Sequence, residues 1–237
     1  MLRGTDESRS LEDADDPRRT RLPNWCSNRL TVEGEPAAVA KWAADVSGDD
    51  ADGQRVPLDF ERVLPTPPEF VAGRTRSAQA VELLAAYDVA DDHERQVLAR
   101  AQPVLAEMMS EVVLGTSVDE VTQWSATDWR VYNWGVERVP AAETFRVDGE
   151  DARSGRIVIM FWSAWAPPRP LVVTLIRTCP ELSFDLVYSE PDGGFAGRLR
   201  GASGEITADV ETREPEEAVA ILRDSGWPDE ADDWVED

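Results

Sequence analysis

The chain has 237 residues, 47 acidic against 24 basic side chains and a formal net charge of −23. One histidine (His93) and two cysteines (Cys26 and Cys179) exclude multi-histidine catalytic centres, structural zinc sites, iron–sulfur clusters and a disulfide framework. No run of about 18 apolar residues occurs that would span a membrane, and so negative a chain is a poor general binder of phosphate backbones.

Met1 to Leu22 holds six acids and five arginines with few apolar groups. It has neither the apolar stretch of a signal peptide nor any periodicity, so it reads as a disordered segment of a soluble, cytoplasmic protein. Order is expected from Pro23. Arg29 to Val32 alternates as a half-buried strand ending at Gly34. Pro36 then opens a helix carrying Val39, Trp42, Ala43 and Val46, which ends at Ser47-Gly48. A polar loop runs from Asp49 to Arg55. Leu58 to Phe60 and Val63-Leu64 read as short extended pieces before a rigid connector, Pro65-Thr66-Pro67-Pro68.

A helical section follows, read as an insertion at about 77–132. Ala80, Val81, Leu83, Leu84 and Tyr87 predict a short helix, and Asp91 with Glu94 caps a second that runs to Gly115 with a break at Pro103. Ser117 with Glu120 caps a third, predicted to carry Val118, Val121, Trp124, Ala126 and Trp129 and to end near Asn133-Trp134-Gly135.

The remainder reads mainly as β-structure. Thr144 to Val147 and the nearly all-apolar Arg156 to Trp162 predict strands, the second central. Pro167-Pro168 starts a helix with Leu171, Val172, Leu175 and Ile176. Leu182, Phe184, Leu186 and Tyr188 alternate with period two, Asp192-Gly193-Gly194 turns the chain, and Phe195–Arg200 pairs with Glu205–Val210. A terminal helix spans about Pro215 to Arg223, and an acidic tail follows. The expected fold is α+β, an antiparallel sheet with helices packed on one face. The expected units are residues 1–22, a domain over 23–210 and an acidic helix and tail over 211–237.

The charge is uneven. Residues 121–210 carry only −3, whereas 211–237 carry −9. A single lysine, Lys41, among 24 basic residues and near-equal use of Asp and Glu fit adaptation to concentrated salt, where carboxylates stay hydrated and their repulsion is screened. An acidic mimic of nucleic acid would need an organised acidic face, which the pattern does not show. An ordinary acidic tail is the third reading.

Several motifs follow one another along the chain: Pro23-Asn24-Trp25-Cys26-Ser27-Asn28-Arg29-Leu30, Asn133-Trp134-Gly135, Trp165-Ala166-Pro167-Pro168, Tyr188-Ser189-Glu190-Pro191 and Phe195-Ala196-Gly197. Together, over about Pro23 to Val210, they resemble the YubB ferredoxin-like family of plasmids, phages and other mobile elements. The resemblance implies a ferredoxin-like fold without an iron–sulfur cluster and assigns no catalytic residue. Two positions depart from the family pattern. Ala166 stands where Trp-Ser-Pro-Pro is usual, and Val136-Glu137-Arg138 replaces Thr-Lys-Trp.

Each candidate site has a plain structural counterpart. The aromatics Trp129, Tyr132, Trp134, Phe161, Trp162 and Trp165 would stack bases if displayed on the sheet, but filling the core is their leading reading. Asn24, Trp25 and Asn28 form a binding loop or, with Trp25 buried, an anchor for the first strand. Cys26 as a nucleophile needs a base, and His93 reads as a surface histidine. Glu190 with Asp192 is a cation or acid/base pair, or a plain hairpin turn.

The reading that follows is a non-catalytic interaction protein with no cofactor or metal and a protein partner, nucleic acid being disfavoured by charge. Its candidate contact residues are Asn24, Trp25, Asn28, Asn133, Trp134, Trp165 and Glu190. The alternatives are a single-strand nucleic-acid module and an acidic mimic.

Overall fold

The computed structural model describes residues 24–50, 52–148, 154–192 and 194–234. The expected disorder of 1–22, Pro23, the middle residue of the predicted turn Asp192-Gly193-Gly194 and the last residues of the tail lie outside them. Strand β1 (Trp25–Gly34) leads to helix α1 (Pro36–Val46), whose first turn is capped by the Glu35 carboxylate accepting from the Ala37 and Ala38 amides. Val39, Trp42 and Val46 recur on one face and are buried. Strands β2 (Gly48–Asp49) and β3 (Arg55–Val56) form a small hairpin.

Short helices α2 (Phe60–Val63) and α3 (Pro68–Ala72) come next. They correct the expectation of extended chain and a rigid connector. The Asp59 side chain caps α2, and Pro68 occupies a first-turn position where its missing N–H costs nothing. Strand β4 (Thr75–Arg76) precedes α4 (Ala78–Val89), α5 (Asp92–Ala101), α6 (Pro103–Val113) and α7 (Val118–Val121). The third predicted helix is divided. After α7 the chain makes β5 (Gln123–Trp124), paired with β4, and restarts as α8 (Ala126–Trp134), where Ser125 and Asp128 form a capping box of their own.

A 3₁₀ turn (Ala142–Thr144) leads into β6 (Arg146–Asp148), β7 (Arg156–Ala164), α9 (Arg169–Thr178), β8 (Leu182–Glu190), β9 (Phe195–Ala202) and β10 (Glu205–Thr212). Helices α10 (Pro215–Asp224) and α11 (Pro228–Asp232) close the described chain.

The main sheet runs β10-β9-β8-β1-β7-β6, with every neighbouring pair antiparallel. Taken in chain order, β1-α1-β6-β7-α9-β8 is two split βαβ units, with β1 lying between β7 and β8. That is the ferredoxin-like arrangement. Residues 47–145 are threaded between α1 and β6, and β9 and β10 widen the sheet beyond β8. Cross-strand register puts Leu30, Ile159, Leu186 and Leu199 in one row, all buried. Helices α1 and α9 cover this face. α9 comes close because β9 carries Gly201 beneath it, where an added Cβ would lie 2.5 Å from Ile176 Cγ2. The core continues into the insertion through Phe60, whose ring meets Trp134 and Phe161 edge-on at 5.7 and 6.2 Å.

The opposite face of the sheet is covered only in part. There α10 and α11 pack Leu222 and Ala231 on Val187, flanked by Val219, Ile221, Trp227 and Trp234. Among the described residues no helix is long and apolar enough to cross a membrane.

Candidate functional site

The alternation of β1 divides the first motif. Cys26 and Asn28 point into the core, while Trp25 and Ser27 lie on the partly covered face. Asn28 Nδ2 donates to the Cys26 carbonyl and to Ser163 Oγ, both at 2.8 Å, and Ser163 Oγ donates to the Ala166 carbonyl at 2.6 Å. Asn28 is therefore a buried tie between β1 and the end of β7 and is not available at the surface. The Cys26 thiol is fully buried and pushed well above its ordinary pKa, first by burial and then by the charges of Glu190 and Glu230. His93 sits exposed in the first turn of α5. No nucleophile–base pair forms from these two.

Asn133 and Trp134 also turn inward. Trp134 is fully buried and its Nε1 donates to the Leu64 carbonyl at 2.9 Å, with the Arg130 guanidinium 5.1 Å from its ring. Asn133 donates to the Trp129 carbonyl at 2.9 Å and accepts from Gln79 at 3.1 Å. Gly135 then adopts a left-handed conformation (φ 89°) with Pro167 so near that an added Cβ would lie 2.8 Å from its carbonyl oxygen. Two motifs far apart in the sequence thus meet as a packing joint. Glu190 is buried at the end of β8 while Asp192 is exposed in the following turn, so they do not form a cation or acid/base pair. Among the described residues no group of three or more His, Cys, Asp or Glu is placed to hold a metal ion.

The aromatic set is divided in the same way. Trp129, Trp134 and Phe161 are core, but Trp25, Trp162 and Trp165 are 51%, 50% and 47% exposed. Trp25 does not bury as an anchor, because its place in the alternation puts it beyond the reach of α1 and α9. Trp165 occupies the left-handed region (φ 70°), where a bulky side chain is strained. It is held there by its amide donating to the Asn24 carbonyl and by the Ala166 amide donating to Ala164, both at 2.9 Å. Asn24 thus acts through its backbone at this bend.

Trp25 stands opposite Ala164 and Trp162 opposite Ser27, so the two indoles are diagonal neighbours on adjacent strands. They form one wall of a cleft of about 770 Å³ whose other wall is Val136, Val139, Pro140 and Ala141, with Glu137, Arg138 and Glu143 on its rim. The lining is mostly apolar, and the volume lies within the ~300–1,000 Å³ usual for ligand pockets. Sequence reasoning named Trp25 and Trp165 but missed Val136–Ala141 as the opposing wall. The available signal was Trp162 falling out of phase with buried Phe161.

Further along the same face, Arg29, Arg156 and Arg200 line a polar hollow of about 250 Å³ together with Glu33 and Asp185. Arg198 holds Asp185 through two bonds of 2.9 and 2.7 Å and reaches Asp224 at 2.8 Å. Arg156 Nε donates to Glu33 at 2.9 Å, and Arg29 Nη1 donates to the Ser225 carbonyl at 2.8 Å. Arg198 and Arg29 thereby fasten the end of α10 to the sheet, while Arg156 ties β7 to β1.

The ferredoxin-like fold is matched by sequence as well. Residues 143–227 fit the family described as the ferredoxin-like domain in Api92-like protein. This span runs from the 3₁₀ turn through β10 to the end of α10. Among solved structures, protein Api92 from Yersinia pseudotuberculosis is similar at 16% identity, over 81% of this chain and 98% of that one, with a TM-score of 0.43. So loose a likeness transfers no residue role or contact. No curated protein matches the chain.

Proposed function

We propose that the protein is a non-catalytic interaction protein that holds a protein partner in the cleft between Trp25, Trp162 and the Val136–Ala141 segment. One observation carries this reading: three tryptophans are kept half-exposed at one end of a sheet on which Phe161, Phe184 and Tyr188 are buried. Exposing that much indole surface to water is costly unless it is covered on binding, and tryptophan-lined clefts are where binding energy concentrates. The strained backbone at Trp165 points the same way, since it presents a ring that the core does not use. A plasmid or phage setting for the partner is part of this proposal and rests on the resemblance of the ordered motifs to mobile-element proteins. The chain's acidity fits a salt-rich cytoplasm.

A second reading is stacking of single-stranded nucleic acid on Trp25 and Trp162, with Arg29, Arg156 and Arg200 along the same face to meet phosphates. It is weaker because Arg156 and Arg200 already face carboxylates in a chain of net charge −23. Mimicry of nucleic acid is weaker still, since Asp224 and Asp232 are turned to Arg198 and Arg223.

Selection from a displayed peptide library separates these readings, with the Trp25→Ala/Trp162→Ala double variant as counter-screen and a labelled 12-nucleotide single strand as a parallel probe. The cleft should enrich apolar peptides that the double variant fails to bind. Failure to enrich any sequence, or equal binding by the double variant, would sink the protein-partner reading. Salt-sensitive binding of the oligonucleotide alone would install the second.

A further inference from the structure

The cleft offers more than apolar side chains. The bonds from the Gly34 amide to the Gly155 carbonyl and from the Trp165 amide to the Asn24 carbonyl fix the phase of the β1–β7 ladder. The backbone groups of Ile157, Ile159, Phe161 and Ser163 point to β1, and those of Val158, Met160, Trp162 and Ala164 point the other way. Strand β6 meets only the first part of that outer edge, with Asp148 opposite Val158 and Arg146 opposite Met160. It then gives way to the 3₁₀ turn, whose Thr144 amide bonds back to Ala141. Beyond Met160, the Trp162 N–H and C=O and the Ala164 N–H have no partner among the described residues, while the Ala164 carbonyl accepts from Ala166. Trp162, Ser163 and Ala164 line the cleft. The cleft therefore contains a short open stretch of sheet edge beside the Trp25 and Trp162 indoles.

An open ladder position is a template for another extended chain. We infer that the ligand is an extended polypeptide segment that adds as a strand to β7 alongside Trp162–Ala164, taking the place that β6 leaves vacant. Main-chain bonds to Trp162 and Ala164 fix its register, and alternate apolar side chains enter the cleft against Trp25 and Trp162. Charge gives its flanks. Glu137 and Glu143 outnumber Arg138 on the rim, and Arg138 is itself within 3.9 Å of Glu137. A segment with basic residues at its ends complements both this rim and the −23 of the whole chain. This inference rests on the protein-binding reading of the cleft and adds that the peptide backbone is itself recognised.

The test uses the full chain and an acetylated, amidated hexapeptide, Arg-Leu-Thr-Leu-Thr-Arg. Two further versions are N-methylated, one on each alternate set of main-chain amides. In an extended strand one set faces β7 and the other faces away. Edge pairing predicts that one methylated peptide binds like the parent and the other at least about tenfold more weakly. Amide exchange at Trp162 and Ala164 should slow with the parent peptide. Ala164→Pro removes an outward-facing donor, keeps both indoles and sits where an edge strand accepts proline, so it should weaken the parent at least about tenfold. Equal binding of both methylated peptides would overturn edge pairing and leave the tryptophan cleft standing. Absence of parent binding, where library selection has yielded apolar ligands, would overturn it too. A concentration-dependent dimer lost in Ala164→Pro would give the edge to a second copy and overturn the assignment to a partner.

Discussion

Tyr188 on β8 stands directly opposite Gly197 on β9, and its ring lies over the place a side chain would occupy. A Cβ on Gly197 would overlap that ring and come within 2.6 Å of the Val210 carbonyl on β10, so neither neighbour can simply rotate away. The Tyr188 hydroxyl donates to Glu211 at 3.0 Å, beside the Arg169 guanidinium, and burial pushes its pKa upward. Gly197→Ala is expected to cost about 1–3 kcal/mol in urea unfolding, as overpacking does. Tyr188→Phe keeps the ring, removes one hydrogen bond and should cost about 1 kcal/mol. A Gly197→Ala variant as stable as the parent would show that the ring is not held by the missing side chain.

The tryptophans divide into two energetic classes. Trp134→Ala removes a fully buried ring that touches Phe60 and Trp129 and leaves the Leu64 carbonyl without its donor. The expected loss is about 3–5 kcal/mol. Trp162→Ala, at a half-exposed position on the cleft wall, should change stability by no more than about 1 kcal/mol while abolishing binding in the cleft. Thermal melts of both variants beside the parent check this, and comparable destabilisation by the two would place Trp162 in the fold rather than the site.

This division was only half legible in the sequence. Period two in Leu182–Tyr188 and the apolar run Arg156–Trp162 located the central strands, because a buried sheet face imposes that pattern directly on side chains. The capping pairs Asp91/Glu94 and Ser117/Glu120 likewise marked helix starts that both form in the structure. Ser125/Asp128 is the same device with the shorter acid, and overlooking it merged α7, β5 and α8 into one helix. Leu58–Phe60 and Val63-Leu64 read as extended because the helix that joins them, Phe60–Val63, has four residues, too few for a helical period to register. The cleft was hidden for a different reason. Its walls come from β1, β7 and the chain after α8, so it exists only once the insertion has folded back on the sheet edge. Composition favours burial of tryptophan and so points to Trp25 as an anchor, whereas strand parity assigns it the other face.

Glu230 ties the C-terminal helices to the sheet and makes that tie sensitive to pH. It lies on α11 beside Ser27 of β1 and Ser189 of β8, with Trp227, Met160 and Arg146 across a small cavity of about 170 Å³. Burial raises its carboxyl pKa above the ordinary value of 4.5 and the nearby Asp233 charge adds to that, while hydrogen bonds from Ser27 and Ser189 oppose it. The native state therefore holds the Glu230 proton more tightly than the unfolded chain does. Its contribution is fully present below about pH 4.5 and is lost as pH rises through the raised native value, leaving a constant penalty above it. Glu230→Gln keeps groups that can bond both serines and has no charge to desolvate. It should be more stable than the parent at neutral pH, with the gain shrinking to nothing in acid. Near Trp234, whose Nε1 donates to Ser189 Oγ at 2.9 Å, the same variant should slow indole exchange at neutral pH only. Urea unfolding of the two proteins from pH 4 to 8 measures the difference directly. A Glu230→Gln protein less stable than the parent at pH 7 would mean that the ionised carboxylate, held by Ser27 and Ser189, is what fastens α11 to the sheet.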